Sequence, residues 1–104
     1  MYVTLTVPEE IVRHLNQLSL GDNLNDNLKR LLRAEYRRKQ ARYQLTDRQL
    51  TQKYQMSFAE FEHHQLTQQH GYSWEVESDA IAWETAIDGN RTLQRQLAEL
   101  EMPV

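Results

Sequence analysis

The residues whose spacing comes nearest to a metal or catalytic site lie in the segment EFEHH, residues 60–64. Glu60 and His63 stand at the Glu-x-x-His spacing that di-iron helical bundles use. Such a site needs several more carboxylates from other helices, and none is evident. His63 and His64 are adjacent, so they point to different faces of a helix. With no nucleophile triad or phosphate loop recognisable either, we expect surface or interface histidines, no metal or other cofactor, and no enzyme activity.

Composition limits the class of protein further. The chain has 104 residues, of which 39% are hydrophobic, and it contains no cysteine. The mean hydropathy of −0.80 is polar for a self-contained monomer and suits an oligomer with solvent-facing helices. No apolar run approaches the roughly 20 residues of a membrane span, and the N-terminus lacks the features of a signal peptide. We therefore expect a cytoplasmic protein.

An alternating segment opens the chain. Residues 2–7 alternate between apolar side chains and side chains that carry a hydroxyl, which predicts a β-strand with two different faces. One face carries Val3, Leu5 and Val7, and the other carries Tyr2, Thr4 and Thr6. A single strand leaves backbone groups unpaired, and no second strand is evident nearby. We therefore predict that two copies pair these strands antiparallel in a twofold dimer.

Helix signals follow the strand directly. Pro8 fits the first turn of a helix, and Glu9 and Glu10 favour the positive end of its dipole. This first helix is expected to end at Gly21. Asn23 is expected to cap a second amphipathic helix that runs to about residue 44.

Three further helix starts are predicted after residue 45, two of them by capping boxes. They indicate a short helix near 47–54, a longer helix near 58–69 and a final helix. The capping residues are Thr46, Ser57 and Ser78. The final helix is expected to be broken or kinked at Gly89–Asn90 and to stop at Pro103.

The order of strand, Pro-Glu-Glu, amphipathic helix, Gly turn and second amphipathic helix resembles the ribbon-helix-helix family. The segment TLTVPEEIVRHLNQLSLGDNLNDNLKRLL, residues 4–32, carries the resemblance. It implies a mostly α-helical chain with one short N-terminal β-strand. Two copies would form an intermolecular two-stranded antiparallel ribbon, and a helical C-terminal extension would follow. The expected dimer core consists of Val3, Leu5, Val7, Leu15, Leu28 and Leu31.

The same resemblance implies a DNA-binding surface, because a two-stranded ribbon fits the major groove and a helix N-terminus can bind phosphate. The implied contact residues are Tyr2, Thr4, Thr6, Asn23, Leu24 and Asn25. Threonine cannot make the bidentate base contacts that discriminate strongly between sequences. A ribbon that serves only dimerisation is the alternative. The basic run at residues 33–42 is a solvated helix face or a source of phosphate contacts in flanking DNA.

The second half of the chain is acidic. Residues 46–104 carry four Lys or Arg against ten Asp or Glu, whereas residues 1–45 carry eight against five. The stretches YQMSFAEFE and WEVESDAIAWE look like segments that follow the DNA-binding modules of type II antitoxins. The toxin-binding residues implied are Phe58, Phe61, Trp74, Ile81, Trp83 and Ile87. The alternative is that these aromatic side chains bind no partner and pack into a hydrophobic core within this chain, which we call the private core.

The sequence therefore predicts two regions. Residues 1–45 are expected to dimerise and bind double-stranded operator DNA, and residues 46–104 to bind and neutralise a toxin. The resemblance implies an antitoxin that represses its own transcription, with a basic toxin that in this class is often an RNase. The alternatives are a stand-alone ribbon-helix-helix regulator and an interaction module that binds no DNA.

Overall fold

A computed structural model describes residues 1–18, 23–64 and 66–102. Within these residues the chain forms α1 (Glu9–Leu18), α2 (Leu24–Tyr54), α3 (Phe58–His63), α4 (Leu66–Gln69) and α5 (Trp74–Glu101). The two long helices, α2 and α5, run antiparallel, so that the end of α2 lies beside the start of α5. The molecule is elongated, with extents of 58 × 26 × 21 Å. None of the described helices is long and apolar enough to cross a bilayer.

The predicted N-terminal strand is wrong, and with it the ribbon-helix-helix fold class. The described residues contain no strand, and residues 1–8 precede α1 without regular structure. Alternation over six residues specifies the two faces of an extended segment, but a strand also needs a partner for its backbone groups. The described part of the chain supplies no partner strand, and Val3 and Leu5 are 81% and 72% exposed.

The predicted dimer core is divided between exposed and covered positions. Val7 is half-buried, and so are Leu15 of α1 and Leu28 of α2, where these two helices pack on each other. Asn27 is buried in the same contact, and its Nδ2 donates to Asn16 Oδ1 at 3.0 Å. Leu31 lies on the exposed side of α2. Dimerisation stays a prediction, although the ribbon that motivated it is absent from the described residues.

Local signals for the helix starts are confirmed at three places. The carbonyl of Pro8 accepts from the backbone of the first turn of α1. Asn23 Oδ1 accepts from Asp26 N at 2.9 Å and caps α2. Ser57 Oγ accepts from Glu60 N at 3.2 Å and caps α3. The predicted stops at Gly21 and Pro103 lie outside the described residues.

Two predicted helix starts are wrong. The hydroxyl of Thr46 donates to the carbonyl of Arg42 at 3.2 Å, so Thr46 sits inside α2 and caps nothing. The boundary drawn between residues 45 and 46 therefore falls within a continuous helix. Ser73, not Ser78, caps α5, since Ser73 Oγ accepts from Val76 N at 3.3 Å.

Gly89 lies in the middle of α5 and does not break it. A Cβ atom at this position would lie 2.5 Å from the nearest ring carbon of Tyr43 on α2. The missing side chain therefore lets the tyrosine ring pack directly against the backbone of α5. Gly89 marks a close approach of the two long helices.

We predict that Gly89→Ala destabilises the protein by up to about 2 kcal/mol. Alanine gains about 1 kcal/mol of helix propensity, but overpacking against a ring costs about 1–3 kcal/mol. In a Tyr43→Ala background the clash is gone, so the same change should stabilise by about 0.5–1 kcal/mol. Urea unfolding of the four proteins measures both effects. A stabilising effect of Gly89→Ala in the wild type would contradict the packing described.

Candidate protein-binding surface

The core at the α2–α5 contact is built around Trp83. Its side chain is 0% exposed, and its indole N–H donates to Asp47 Oδ1 at 2.8 Å. The rings of Phe61, Phe58 and Tyr54 surround it at centroid distances of 5.2, 5.4 and 5.9 Å. A buried tryptophan needs a hydrogen-bond acceptor for its N–H, so α2 supplies both the acceptor and part of the packing.

This core accounts for most of the residues predicted to bind a toxin. Trp83 and Phe61 are buried, and Phe58 and Ile87 pack half-buried against them. The private-core alternative therefore describes these four side chains. Trp74 and Ile81 differ, because they are 82% and 66% exposed.

Helix geometry explains the difference. Trp74 and Ile81 stand two residues before the buried Val76 and Trp83, and two residues turn a helix by about 200°. The two pairs therefore face opposite sides of α5. We call the exposed pair Trp74 and Ile81 the outer stripe.

A hollow of about 340 Å³ opens where α3, α4 and α5 meet. Its apolar lining is Phe58, Phe61, Leu66, Tyr72 and Ala80, and its charged lining is Glu62 and Glu84. We call it the acidic hollow. Two of its aromatic rings belong to the Trp83 cluster, so the core forms one wall of the hollow.

A second groove of about 420 Å³ lies beside the hollow and shares Phe58, Glu62 and Glu84 with it. Asp88 adds a further carboxylate, and Arg91 is the basic residue of the lining. Aromatic walls with carboxylates beside them suit a side chain with a long apolar stem and a cationic head, since cations are attracted to ring faces and to carboxylates. The surface is therefore suited to Lys or Arg side chains.

A polar cluster fixes the start of α5 against the end of α2. Lys53 Nζ donates to Asp79 Oδ2 at 2.6 Å and to Glu75 Oε1 at 2.7 Å. The hydroxyl of Tyr54 donates to the same Asp79 oxygen at 2.6 Å. Because Tyr54 also contacts Phe61 and Trp83, this cluster connects the ion pairs of Lys53 to the aromatic core.

The pKa values in this cluster are shifted. Burial raises the pKa of Tyr54 to about 12, and the hydrogen bond to Asp79 adds to the rise. The hydrogen bonds to Asp79 and Glu75 raise the pKa of Lys53 above its ordinary value. Burial alone would raise the pKa of Asp79, but the hydrogen bonds from Lys53 and Tyr54 outweigh it and lower that pKa.

The remaining predicted site residues lie elsewhere. Tyr2, Thr4 and Thr6 are exposed in the irregular N-terminal segment, whereas Asn23, half-buried Leu24 and exposed Asn25 form the start of α2. Glu60, His63 and His64 are all exposed on or beside α3. Among the described residues no three His, Asp or Glu side chains come together as a metal site.

Sequence reasoning missed several residues that build this surface. They are Asp47, Lys53, Tyr54, Tyr72 and Ala80. A signal for the core-facing side of α2 was present, since Tyr36, Tyr43 and Leu50 recur every seven residues. The sequence-based prediction ended the second helix near residue 44, so Leu50 was not recognised as part of that pattern, whereas α2 continues to Tyr54.

No protein-family model matches the chain, and no curated protein or solved structure matches it either. Within the described residues the fold is a helical hairpin of α2 and α5, with an acidic aromatic surface at one end. Its function has to be inferred from that surface.

We predict that alanine substitution of the two tryptophans changes the free energy of unfolding by very different amounts. Trp83→Ala removes a fully buried side chain and should lower the free energy of unfolding by about 3–5 kcal/mol. Trp74→Ala removes an exposed side chain and should change it by less than about 0.5 kcal/mol. Circular dichroism during urea unfolding measures both. Similar losses in the two variants would contradict the described core.

We further predict that stability falls as the pH rises above about 10. The raised pKa values of Tyr54 and Lys53 stabilise the folded protein below the ordinary pKa, and that contribution is lost as the pH approaches about 12. Tyr54→Phe should cost about 1–2 kcal/mol at pH 7 and should flatten the alkaline decline. Tyr72→Phe, at an exposed tyrosine, is the matched control. Unfolding in urea at pH 7, 10 and 11 tests this, and an equally steep decline in Tyr54→Phe would refute it.

Proposed function

We propose that this chain binds a basic protein partner and acts as the antitoxin of a toxin–antitoxin pair. The observation that carries the proposal is the acidic hollow, and the outer stripe adds to it on the same helix, α5. The hollow presents aromatic and aliphatic surface next to the carboxylates of Glu62 and Glu84, and Trp74 and Ile81 expose further apolar surface on another side of α5.

The chemistry of the hollow selects the partner's charge. A Lys or Arg side chain would lay its stem along the rings of Phe58 and Tyr72 and bring its head group to Glu84. The electrostatic field around the second half of the chain also favours a basic partner, since residues 46–104 carry a net charge of −6. Such a field speeds the encounter with a basic partner and suppresses acidic ones.

The outer stripe supplies the apolar part of the contact. Tryptophan is enriched among the residues that dominate binding energy at interfaces. Trp74 is 82% exposed and takes no part in the core of the described residues, so its large apolar side chain is available to a partner. Ile81 lies two turns further along the same side of α5, which extends the contact along the helix.

The proposed mechanism is steric and electrostatic neutralisation. A toxin with a basic active surface is inactivated when the acidic end of the hairpin covers that surface. The core of the hairpin is complete without the partner, so binding would not require the partner to order α5. In this proposal both proteins act in the cytoplasm. Operator binding by an N-terminal ribbon is not part of it, because residues 2–7 form no strand.

The test uses the proteins encoded by the two neighbouring reading frames. We expect one of them to be small and basic, to arrest growth when expressed alone, and to be neutralised by co-expression of this chain. The double change Trp74→Ala with Ile81→Ala should weaken the complex at least about thirtyfold by calorimetry. Glu62→Gln with Glu84→Gln should weaken it as well.

The matched control changes two exposed leucines on α2, Leu32→Ala with Leu45→Ala, and should bind normally. Unchanged melting of each variant shows that loss of binding is not loss of fold. The proposal is wrong if neither neighbouring product binds, or if the complex forms equally well with the outer stripe and the acidic hollow both changed.

A further inference from the structure

The most basic part of the chain lies on α2, at the opposite end of the hairpin from the acidic hollow. Residues 29–42 carry seven basic side chains and one acidic one, in a chain of net charge −3. We call these residues the basic segment. Its basic members are Lys29, Arg30, Arg33, Arg37, Arg38, Lys39 and Arg42.

Three arginines of the basic segment share one side of α2. Arg30, Arg33 and Arg37 line a groove of about 420 Å³ together with Ala34. The small side chain of Ala34 keeps the space between the guanidinium groups open. Arg30 and Arg37 are exposed, and neither forms a salt bridge within the described residues.

We propose that the basic segment binds the phosphate backbone of double-stranded nucleic acid. Its 14 residues span about 20 Å of helix, and the same length of duplex carries about six phosphates on each strand. Arginine binds phosphate with two parallel hydrogen bonds. Contacts of this kind carry little sequence information, so binding does not depend on a particular base sequence.

A duplex fits the basic segment better than an anionic membrane does. A helix that lies in a membrane surface needs a free, wide apolar face. Much of the apolar side of α2 is occupied, because Tyr43 packs on Gly89 and Leu50 is buried in the core with Trp83. The exposed large apolar side chains of the basic segment are Leu31 and Leu32, and two adjacent residues do not form a wide face. What α2 presents to solvent at residues 29–42 is mainly charge.

The end of α5 limits this activity. Both oxygens of the Glu101 carboxylate accept from Arg33, one from Nε and one from Nη2 at 3.0 Å. A phosphate must therefore compete with Glu101 for the central arginine of the groove. Removing that carboxylate charge should strengthen nucleic-acid binding, an effect that a purely structural role of Arg33 would not produce.

The experiment measures fluorescence anisotropy of a labelled mixed-sequence 20-base-pair DNA duplex with the full chain between 50 and 200 mM salt. The wild type should bind at 50 mM and weaken as salt rises. Arg30→Ala with Arg37→Ala should lower the affinity at least about tenfold and reduce the salt slope by about two. Glu101→Gln should raise the affinity severalfold. Arg48→Ala, at an exposed arginine of α2 outside the basic segment, should change the affinity much less.

Other outcomes overturn the proposal. They are absence of duplex binding at 50 mM salt, wild-type affinity of the Arg30→Ala, Arg37→Ala variant while it remains folded by circular dichroism, or binding to phosphatidylserine-containing vesicles without binding to the duplex. An unchanged affinity in Glu101→Gln overturns the competition at Arg33. None of these results depends on a protein partner, so they are independent of the toxin test.

Discussion

The burial of Trp83 is the constraint on which the rest of the structure depends. Its indole ring joins three helices, because it lies on α5, its N–H is bound by Asp47 of α2, and Phe61 of α3 packs on its face. The hydrogen bond matters as much as the packing, since a buried polar group without a partner costs about 1–3 kcal/mol. Once this contact is made, Tyr43 meets Gly89 and the register of the two long helices follows.

Charge is divided between the two long helices. α2 carries nine basic and three acidic residues, whereas α5 carries two basic and seven acidic ones. Ion pairs join the two helices near both ends, at Lys53 with Asp79 and at Arg33 with Glu101. Exposed ion pairs contribute little to stability because water and salt screen them, so they support the antiparallel register while the aromatic core supplies most of the stability. Most of the remaining charge lies on two surfaces of opposite sign.

The acidic hollow uses the core as its wall. Phe58 and Phe61 pack against Trp83 on one side and line the hollow on the other. Such a surface is preorganised, because its aromatic side chains are held by intramolecular contacts and lose little freedom when a partner binds. The outer stripe has no such support, and its contribution would come from burying Trp74 and Ile81 directly.

The sequence by itself determined the helix starts at Pro8, Asn23 and Ser57, because a cap is formed by residues within one turn. It failed at residues 2–7, where a strand depends on a distant partner. Only the tertiary structure decided between Trp74 and Trp83, which have the same chemistry and the same acidic neighbourhood. The deciding fact is which side of α5 meets α2, and that depends on a residue of another helix, Asp47, which lies 36 positions from Trp83 in the chain.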